Sequence, residues 1–405
     1  MTKRLAKIAV LEWICGGGLL DIPSEQVDGG LRAEGLAMLS TLASGLTAEM
    51  EVVVPLDLRL VSTADLDPRA QVVDVLDPSY EAHSGAQHPL PQWAAMAEQC
   101  DAVWVIAPEI DSALSRSVDY LRGCGRKLLN CRGDFLRQCS DKRSTSKRLL
   151  AAGIPHPPTR DLEQIDQAWL NSTTANCSAP AQPYWIVKPT AGAGGAGQRL
   201  VNQEQLRQLV QAAQAGFSGG SQTTQSVEQI VQPWMPGRPA SCSVIVDALG
   251  RRHWLPLVSQ DFAQPKSKCG SCGPHDYFDQ SSRYMRSPPQ YIGCTYPCNE
   301  LPSGSLMDAP RELLENTLDA FGPGAYGPVG IDLLYNASTQ AWTVIEVNAR
   351  CTSSLVGLAQ AYRGELALDI FKLLYRAEQN RQFADFTTSF NPFQFRIPRD
   401  TDEPA

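Results

Sequence analysis

One run constrains this chain more than any other: Ala341-Trp-Thr-Val-Ile-Glu-Val-Asn-Ala-Arg350, in which Glu346, Asn348 and Arg350 alternate with Ile345, Val347 and Ala349. Alternation over β-rich residues predicts a strand that projects those three polar side chains from one face. A carboxylate, an amide oxygen and a guanidinium pointing together suit a divalent cation and the phosphates it carries. Hard oxygens bind magnesium, and the guanidinium fork matches phosphate oxygens. Just upstream, Gly330-Ile-Asp332-Leu-Leu-Tyr335 adds a second acid, and the turn-forming stretch 336–340 between the two segments predicts a hairpin that folds Asp332 beside Glu346. The same pattern fits a half-buried edge hairpin whose polar face merely meets water, so the choice falls to the rest of the chain.

With 405 residues, 43% of them hydrophobic, the chain can bury the cores of two or three domains. A net charge of -8 argues against nucleic acid or an anionic membrane as a main partner and favours small-molecule ligands. Lys3, Arg4 and Lys7 precede an apolar run in the manner of an export signal, but Glu12 and the glycines after Cys15 interrupt it. Ile8 to Trp13 reads instead as a first buried strand. No apolar run reaches the roughly 18 residues of a membrane span. Twelve cysteines without an export signal imply a reducing, cytoplasmic setting, where thiols stay free or hold metal.

The first 135 residues alternate strand and helix patterns: a helix over Leu31 to Ala43, strands over Glu51 to Val54 and Ala102 to Ala107, and a helix-like Gln92 to Cys100. That order predicts a parallel, Rossmann-like α/β domain. Cys15-Gly-Gly-Gly18 then falls at the carboxyl end of a sheet strand, where open α/β folds place ligands; a turn needing positive φ is the other reading. Ser140 or Asp141 can cap a short helix that Gly153 and Pro155 end, with Lys142 in its first turn as either an anion contact or a solvated lysine. Residues 171–183 read as a polar linker.

Tyr184-Trp-Ile-Val-Lys188-Pro is followed by a glycine-rich loop containing Gly192, Gly194, Gly195 and Gly197, and then by a second strand over 198–202. Strand, lysine, glycine hairpin, strand describes a loop whose backbone N–H groups can close over phosphates. Gln229-Ile-Val-Gln232-Pro-Trp-Met-Pro-Gly237 reads as an extended connector between lobes, with Trp234 and Met235 suited to an adenine ring or else to a core. Residues 259–305, rich in Ser, Gly, Pro and Cys, are longer than an ordinary connection. Their pairs Cys269/Cys272 and Cys294/Cys298 match the spacing of a structural zinc site, or are free thiols in a substrate lid. Closing helices are expected over Pro310 to Phe321, Leu355 to Arg363 and Glu365 to Asn380, with a frayed tail over 396–405.

Taken in order, Asp141-Lys142, Val-Lys188-Pro with its glycine hairpin, Val-Gln232-Pro-Trp-Met-Pro-Gly237, Gly330-Ile-Asp332 and Ile-Glu346-Val-Asn348-Ala-Arg350 resemble the ATP-grasp superfamily over residues 130 to 380. The resemblance implies two α+β lobes sandwiching ATP, a first lobe over 136–240 with the phosphate loop and a second over 241–395 with the metal site. It implies that Lys142 and Lys188 hold phosphates, that Gly192, Gly194 and Gly195 belong to the loop closing over them, and that Gln232, Trp234 and Met235 meet the adenine. Asp332, Glu346 and Asn348 would ligate magnesium or manganese. Arg350, with Lys188, would stabilise the transferred phosphoryl. Arg238-Pro-Ala-Ser241 stands where the family often has an acid for the ribose.

A narrower likeness is to the tyramine-glutamate ligases of methanofuran and methylofuran biosynthesis, carried by Leu11-Glu-Trp-Ile-Cys-Gly-Gly-Gly18, by Arg32-Ala-Glu34-Gly-Leu-Ala-Met38 and by Asn348-Ala-Arg-Cys-Thr352-Ser-Ser. Ala349 stands where those enzymes have proline, and the cysteine-rich segment lies outside their pattern. The likeness implies an ADP-forming ligase joining a carboxylate to an amine through an acyl phosphate, glutamate with tyramine or tyrosine, in synthesis of a one-carbon carrier coenzyme. Gly16, Gly17, Glu34, Thr352 and Ser353 would line the substrate pocket, and a homodimer is an expected assembly. The alternatives are an ATP-grasp carboxylase, a different peptide-forming ligase, or a nucleotide-binding protein without turnover.

Overall fold

β1 (Lys7–Glu12) is buried along its length because it has helices on both faces. The computed structural model describes residues 6–77, 89–174, 183–192, 195–218, 228–263, 290–297, 301, 308–375, 386 and 390–397. β1 pairs in parallel with β2 (Glu51–Leu56) and with β4 (Ala102–Ile106), and β3 (Gln71–Asp74) extends the sheet in the order β3-β2-β1-β4. Ile8 and Val10 face α1 (Gly29–Leu46), while Ala9 and Leu11 face α2 (Leu90–Met96) and α3 (Ala113–Gly123), as the strand's period of two requires. Asp28 caps α1, its carboxylate accepting the Leu31 N–H at 2.8 Å.

Two short helices follow, α4 (Gly133–Cys139) and α5 (Lys142–Ala151). Asp141 is the residue that caps α5, accepting from Ser144 N at 2.6 Å, and Gly153 beyond its end takes φ +69°. A four-stranded antiparallel sheet comes next, order β5-β8-β6-β7, from β5 (Arg160–Asp161), β6 (Tyr184–Pro189), β7 (Arg199–Asn202) and β8 (Gln229–Pro233). Trp185, Val187, Val201 and Val231 bury its inner face against α6 (Gln167–Thr174) and α7 (Gln203–Ser218). The polar linker expected over 171–183 therefore begins as the last turn of a helix, held because Trp169 and Leu170 anchor it; residues 175–182 lie outside the described residues.

The third sheet has seven strands, in the order β14-β13-β9-β11-β12-β15 with β10 on β9. They are β9 (Arg238–Val246), β10 (Arg252–Trp254), β11 (Val258–Phe262), β12 (Tyr291–Tyr296), β13 (Gly327–Asn336), β14 (Ala341–Asn348) and β15 (Phe393–Arg396), all antiparallel. Pro233 still pairs with Trp185, so the connector between sheets is only the stretch 234–237. The segment 259–305, expected to be irregular, contributes two integral strands at its ends. β11 and β12 are sheet members because Val258 and Cys294 are buried in a core shared with α1, α9 (Ser354–Ala361) and α10 (Leu366–Tyr375). The expected tail likewise starts inside β15, whose Phe395 is buried. α5 packs on β14 and on α8 (Asp308–Ala320) through Leu149, so the helix bearing Lys142 is carried by the third sheet, whereas Lys188 belongs to the second.

The parallel domain meets the third sheet where Gly327 opens β13. This residue has φ +83°, and a Cβ built on it would lie 2.4 Å from the Leu129 carbonyl oxygen. Gly327→Ala is expected to destabilise the fold by about 1–3 kcal/mol through strain and displacement of that backbone. Urea unfolding checks it, and an unchanged midpoint would contradict the account.

Candidate functional site

The hairpin of β13 and β14 sets Asp332 opposite Glu346 and Gly330 opposite Asn348. The register shifts after Asp332, leaving Ile345 as an extra residue. The resulting bulge turns Val344 into the core with Val347 while Glu346 and Asn348 keep the opposite face. Asp332 accepts from Asn348 Nδ2 at 3.2 Å and from Gln260 Nε2 at 3.0 Å. Lys142, first residue of α5, reaches Glu346 Oε1 at 2.9 Å and donates to the Gly192 carbonyl at 2.6 Å, while its own N–H donates to Thr190 O at 2.8 Å. The lysine expected at the phosphate loop's mouth, Lys188, lies 9% exposed at the end of β6.

Charge in this cleft is mutually adjusted. Burial and the neighbouring Glu346 push Asp332 up to about 6. Burial acts to raise Glu346 too, but Lys142 and Lys188 outweigh it and hold the carboxyl below its ordinary range. Burial pulls Lys188 down to about 8, against the attraction of Glu346. Lys142 would be lowered by burial, yet Glu346 and Glu109 leave it above its usual value. Two converging carboxylates and an amide fit a magnesium ion. Among the described residues no cluster of three or more His, Cys, Asp or Glu forms a ligand cage. Magnesium needs none, since it binds through one or two carboxylates and takes its other oxygens from substrate phosphates and water.

Arg350 is fixed from the parallel domain. Its Nε and Nη2 donate to the two oxygens of Glu109 at 2.9 and 3.0 Å, and Nη1 donates to Cys351 O at 3.0 Å. One N–H on each terminal nitrogen is left for an anion. Glu109 is 2% exposed and follows β4, so a residue from the first sheet orients the guanidinium at the end of the third.

At the expected adenine end, Gln232 Nε2 donates to Thr159 Oγ1 at 2.9 Å and to His156 Nε2 at 3.3 Å. His156 Nδ1 in turn donates to Val344 O at 2.8 Å, which assigns the acceptor role to Nε2. This orients Gln232 Oε1 as the acceptor, the polarity an adenine amino group requires. Trp234 and Met235 are half-buried on the connector, and Gly195 takes φ +77° in the loop after Gly192; Gly194 lies outside the described residues.

The residues expected around the substrate divide. Glu34 and Ser353 come together, the hydroxyl donating toward the carboxylate, beside Arg350. Thr352 covers Gly330, where a Cβ would lie 2.4 Å from its methyl, and shares a 2.8 Å hydrogen bond with Ser354. Gly16 and Gly17 are buried elsewhere: Gly16 O accepts from Trp93 Nε1 at 3.0 Å, and Gly17, at φ +94°, packs on Val75. Their place is steric, inside the parallel domain. Of the four cysteines expected to share zinc, Cys269, Cys272 and Cys298 lie outside the described residues, and Cys294 is fully buried in apolar core. Sequence reasoning missed Glu109, Gln260 and His156. Glu109 had a usable signal, its position just past the carboxyl end of a parallel strand; the other two have no local pattern.

A family model described as the ATP-grasp domain matches residues 139–354, more than half of the chain. The chain belongs to the ATP-grasp family. A pre ATP-grasp domain model matches 51–134, within the parallel-sheet domain that precedes the family's own fold. Solved ATP-grasp structures share this architecture. One from Archaeoglobus fulgidus is 18% identical, with 92% of this chain and 88% of that one covered and a TM-score of 0.55. An N5-carboxyaminoimidazole synthetase from Staphylococcus aureus complexed with ADP is 12% identical, covering 97% and 80%, TM-score 0.55. A biotin carboxylase from Campylobacter jejuni in a β,γ-ATP complex is 15% identical, covering 96% and 74%, TM-score 0.57. At these identities the likeness speaks for the fold. No curated protein matches this ATP-grasp chain.

Glu109→Gln is expected to cost about 3–5 kcal/mol in denaturant unfolding, because it leaves the buried Arg350 charge uncompensated, and Glu109→Gln/Arg350→Met to recover most of that loss. Additive losses in the double variant would show that the pair is not coupled. Burial lowers His156 to about 4, so between roughly pH 4 and 6.5 the unfolded chain binds a proton that the folded chain does not. Stability from this group is present above about 6.5 and is lost as pH falls through about 4, a span of at most about 3 kcal/mol. His156→Gln is expected to flatten that slope in melts at stepped pH.

Proposed function

We propose that this ATP-grasp protein is an ATP-dependent carboxylate–amine ligase that forms an amide through an acyl phosphate, with glutamate as the acid and tyramine or tyrosine as the amine, in the synthesis of a one-carbon carrier coenzyme of the methanofuran type. The supporting observation is the convergence of Lys142, Lys188, Asp332, Glu346 and Asn348 in one cleft with Arg350 at its end. The narrower substrate assignment draws on the likeness of the segments around Glu12, Glu34 and Thr352 to tyramine-glutamate ligases.

Lys142 and Lys188 bind the nucleotide phosphates, Lys142 exchanging Glu346 and the Gly192 carbonyl for phosphate oxygens. Asp332, Glu346 and Asn348 would hold magnesium, which when bound supplies positive charge against the phosphates. Gln232 orients the adenine. Arg350, fixed by Glu109, offers its two remaining N–H groups to the acid's carboxylate and to the phosphoryl moving onto it, and the loop 191–197 keeps water from the acyl phosphate. The work of the chain is positioning and charge neutralisation.

Purified protein with ATP and magnesium is expected to release phosphate when glutamate and tyramine are both present, and to form a hydroxamate when hydroxylamine replaces the amine. No hydroxamate from any carboxylic acid in a broad panel would overturn the reading. Glu346→Gln and Asn348→Ala are expected to abolish this turnover, and Lys142→Ala or Lys188→Ala to weaken ATP binding by about 1.5–3 kcal/mol in calorimetry, the worth of a charge-assisted hydrogen bond.

A further inference from the structure

A cavity opens where the carboxyl ends of β1 and β4 meet the first turns of α1. Leu31, Met38 and Ile106 form its apolar wall, and Glu12, Glu34 and Arg350 its polar one. Arg350 thus borders both this cavity and the cleft. Glu12 is 1% exposed and held in place: its Oε2 accepts the Cys15 N–H at 2.6 Å, and α1 passes so close that a Cβ on Gly35 would lie 2.8 Å from the carboxylate. Any larger residue at 35 would push that acid out of the wall. Among the described residues neither Glu12 nor Glu34 has a lysine or arginine within ion-pair distance, and the Arg350 fork is engaged by Glu109. Among the described residues Glu12, Glu34 and Glu109 thus crowd the one guanidinium of Arg350, an excess of negative charge withdrawn from water that is costly and that a cationic ligand offsets. The strain registers in the acids themselves: burial pushes Glu12 up to about 7 and raises Glu34, although Arg350 and Ser353 resist the latter.

We propose that this cavity binds the nucleophile of the ligation, a primary amine on an apolar or aromatic body, with its ammonium between Glu12 and Glu34 and its carbon skeleton against Leu31, Met38 and Ile106. The assignment rests on the ligase reading above and deepens it by naming the amine's site and the base. Glu34 takes one proton from the ammonium. The freed lone pair then forms the C–N bond to the acyl carbon while the C–O bond to phosphate breaks, its electron pair leaving with the phosphate. The second nitrogen proton goes to the departing phosphate, and Glu34, only partly buried, returns its proton to solvent. The reaction is balanced by ADP, phosphate, amide and one proton.

The test uses the full-length protein, with tyramine and its neutral counterpart 4-ethylphenol as probes in calorimetry. Wild type is expected to bind tyramine at least tenfold more tightly than 4-ethylphenol. Glu12→Gln and Glu34→Gln, both isosteric, should each remove that preference, and Leu31→Trp, a half-exposed position on the cavity wall, should weaken both probes at least tenfold. In turnover, the rate of amide formation from tyramine relative to hydroxamate formation should fall at least a hundredfold in Glu34→Gln. Equal binding of the two probes to wild type, or an undiminished preference in both glutamine variants, would overturn the assignment. Failure of wild type to form any hydroxamate while the charge preference persists would count against the ligase reading and leave the amine site standing.

Discussion

Two carboxylates held across one pair of strands cannot both stay ionised in a buried cleft unless cations stand beside them, and the site is built around that requirement. Asp332 and Glu346 are locked face to face by the register of β13 and β14. The protein answers with Lys142 on Glu346 and with amide donors from Asn348 and Gln260 on Asp332. The compensation is asymmetric. Glu346 is held ionised by two lysines, whereas Asp332, with neutral partners, sits close to taking a proton. A divalent cation bound there would resolve that asymmetry and would free Lys142 from Glu346, so under the proposed reading metal and nucleotide are expected to favour one another's binding.

The same reasoning explains why the parallel domain is more than a neighbour. Glu109, just past its β4, fixes Arg350, and Glu12, the last residue of its β1, walls the cavity that Arg350 also lines. Gly327 lets the backbone of the two domains meet, and a continuous core joins the first sheet to the third. The arginine at the end of β14 is thus held by a carboxylate from a different sheet, and neither domain alone presents a complete set of groups.

Much of this was legible in the chain. The hairpin formed by the segments 330–335 and 341–350, the parallel domain and the glycine loop between antiparallel strands follow from alternation and turn chemistry, which are local. What escaped was non-local. The bulge at Ile345 cannot be read from alternation because it breaks alternation, and it decides that Val344 packs inward. Gly16 and Gly17 looked like a ligand loop since glycines at a strand end serve both binding and close packing; only the approach of Trp93 and Val75 distinguishes them. β11 and β12 were hidden because their partners, β9 and β15, are distant in sequence and the residues around them are poor in apolar side chains.

β14 is the outermost strand of a seven-stranded antiparallel sheet, so the strand that carries Glu346 and Asn348 is also a free edge. Exposed edges invite pairing with other chains. Here the segment after α5 blocks it: Val344 N donates to Pro155 O, and the ring of His156 takes the Val344 carbonyl that another strand would otherwise claim. Proline at 155 has no N–H of its own to extend a ladder. The plug closes the edge of β14 to polypeptides, and because the plugging histidine also holds Gln232, the covering of the sheet edge and the orientation of a side chain on the second sheet are coupled through one imidazole.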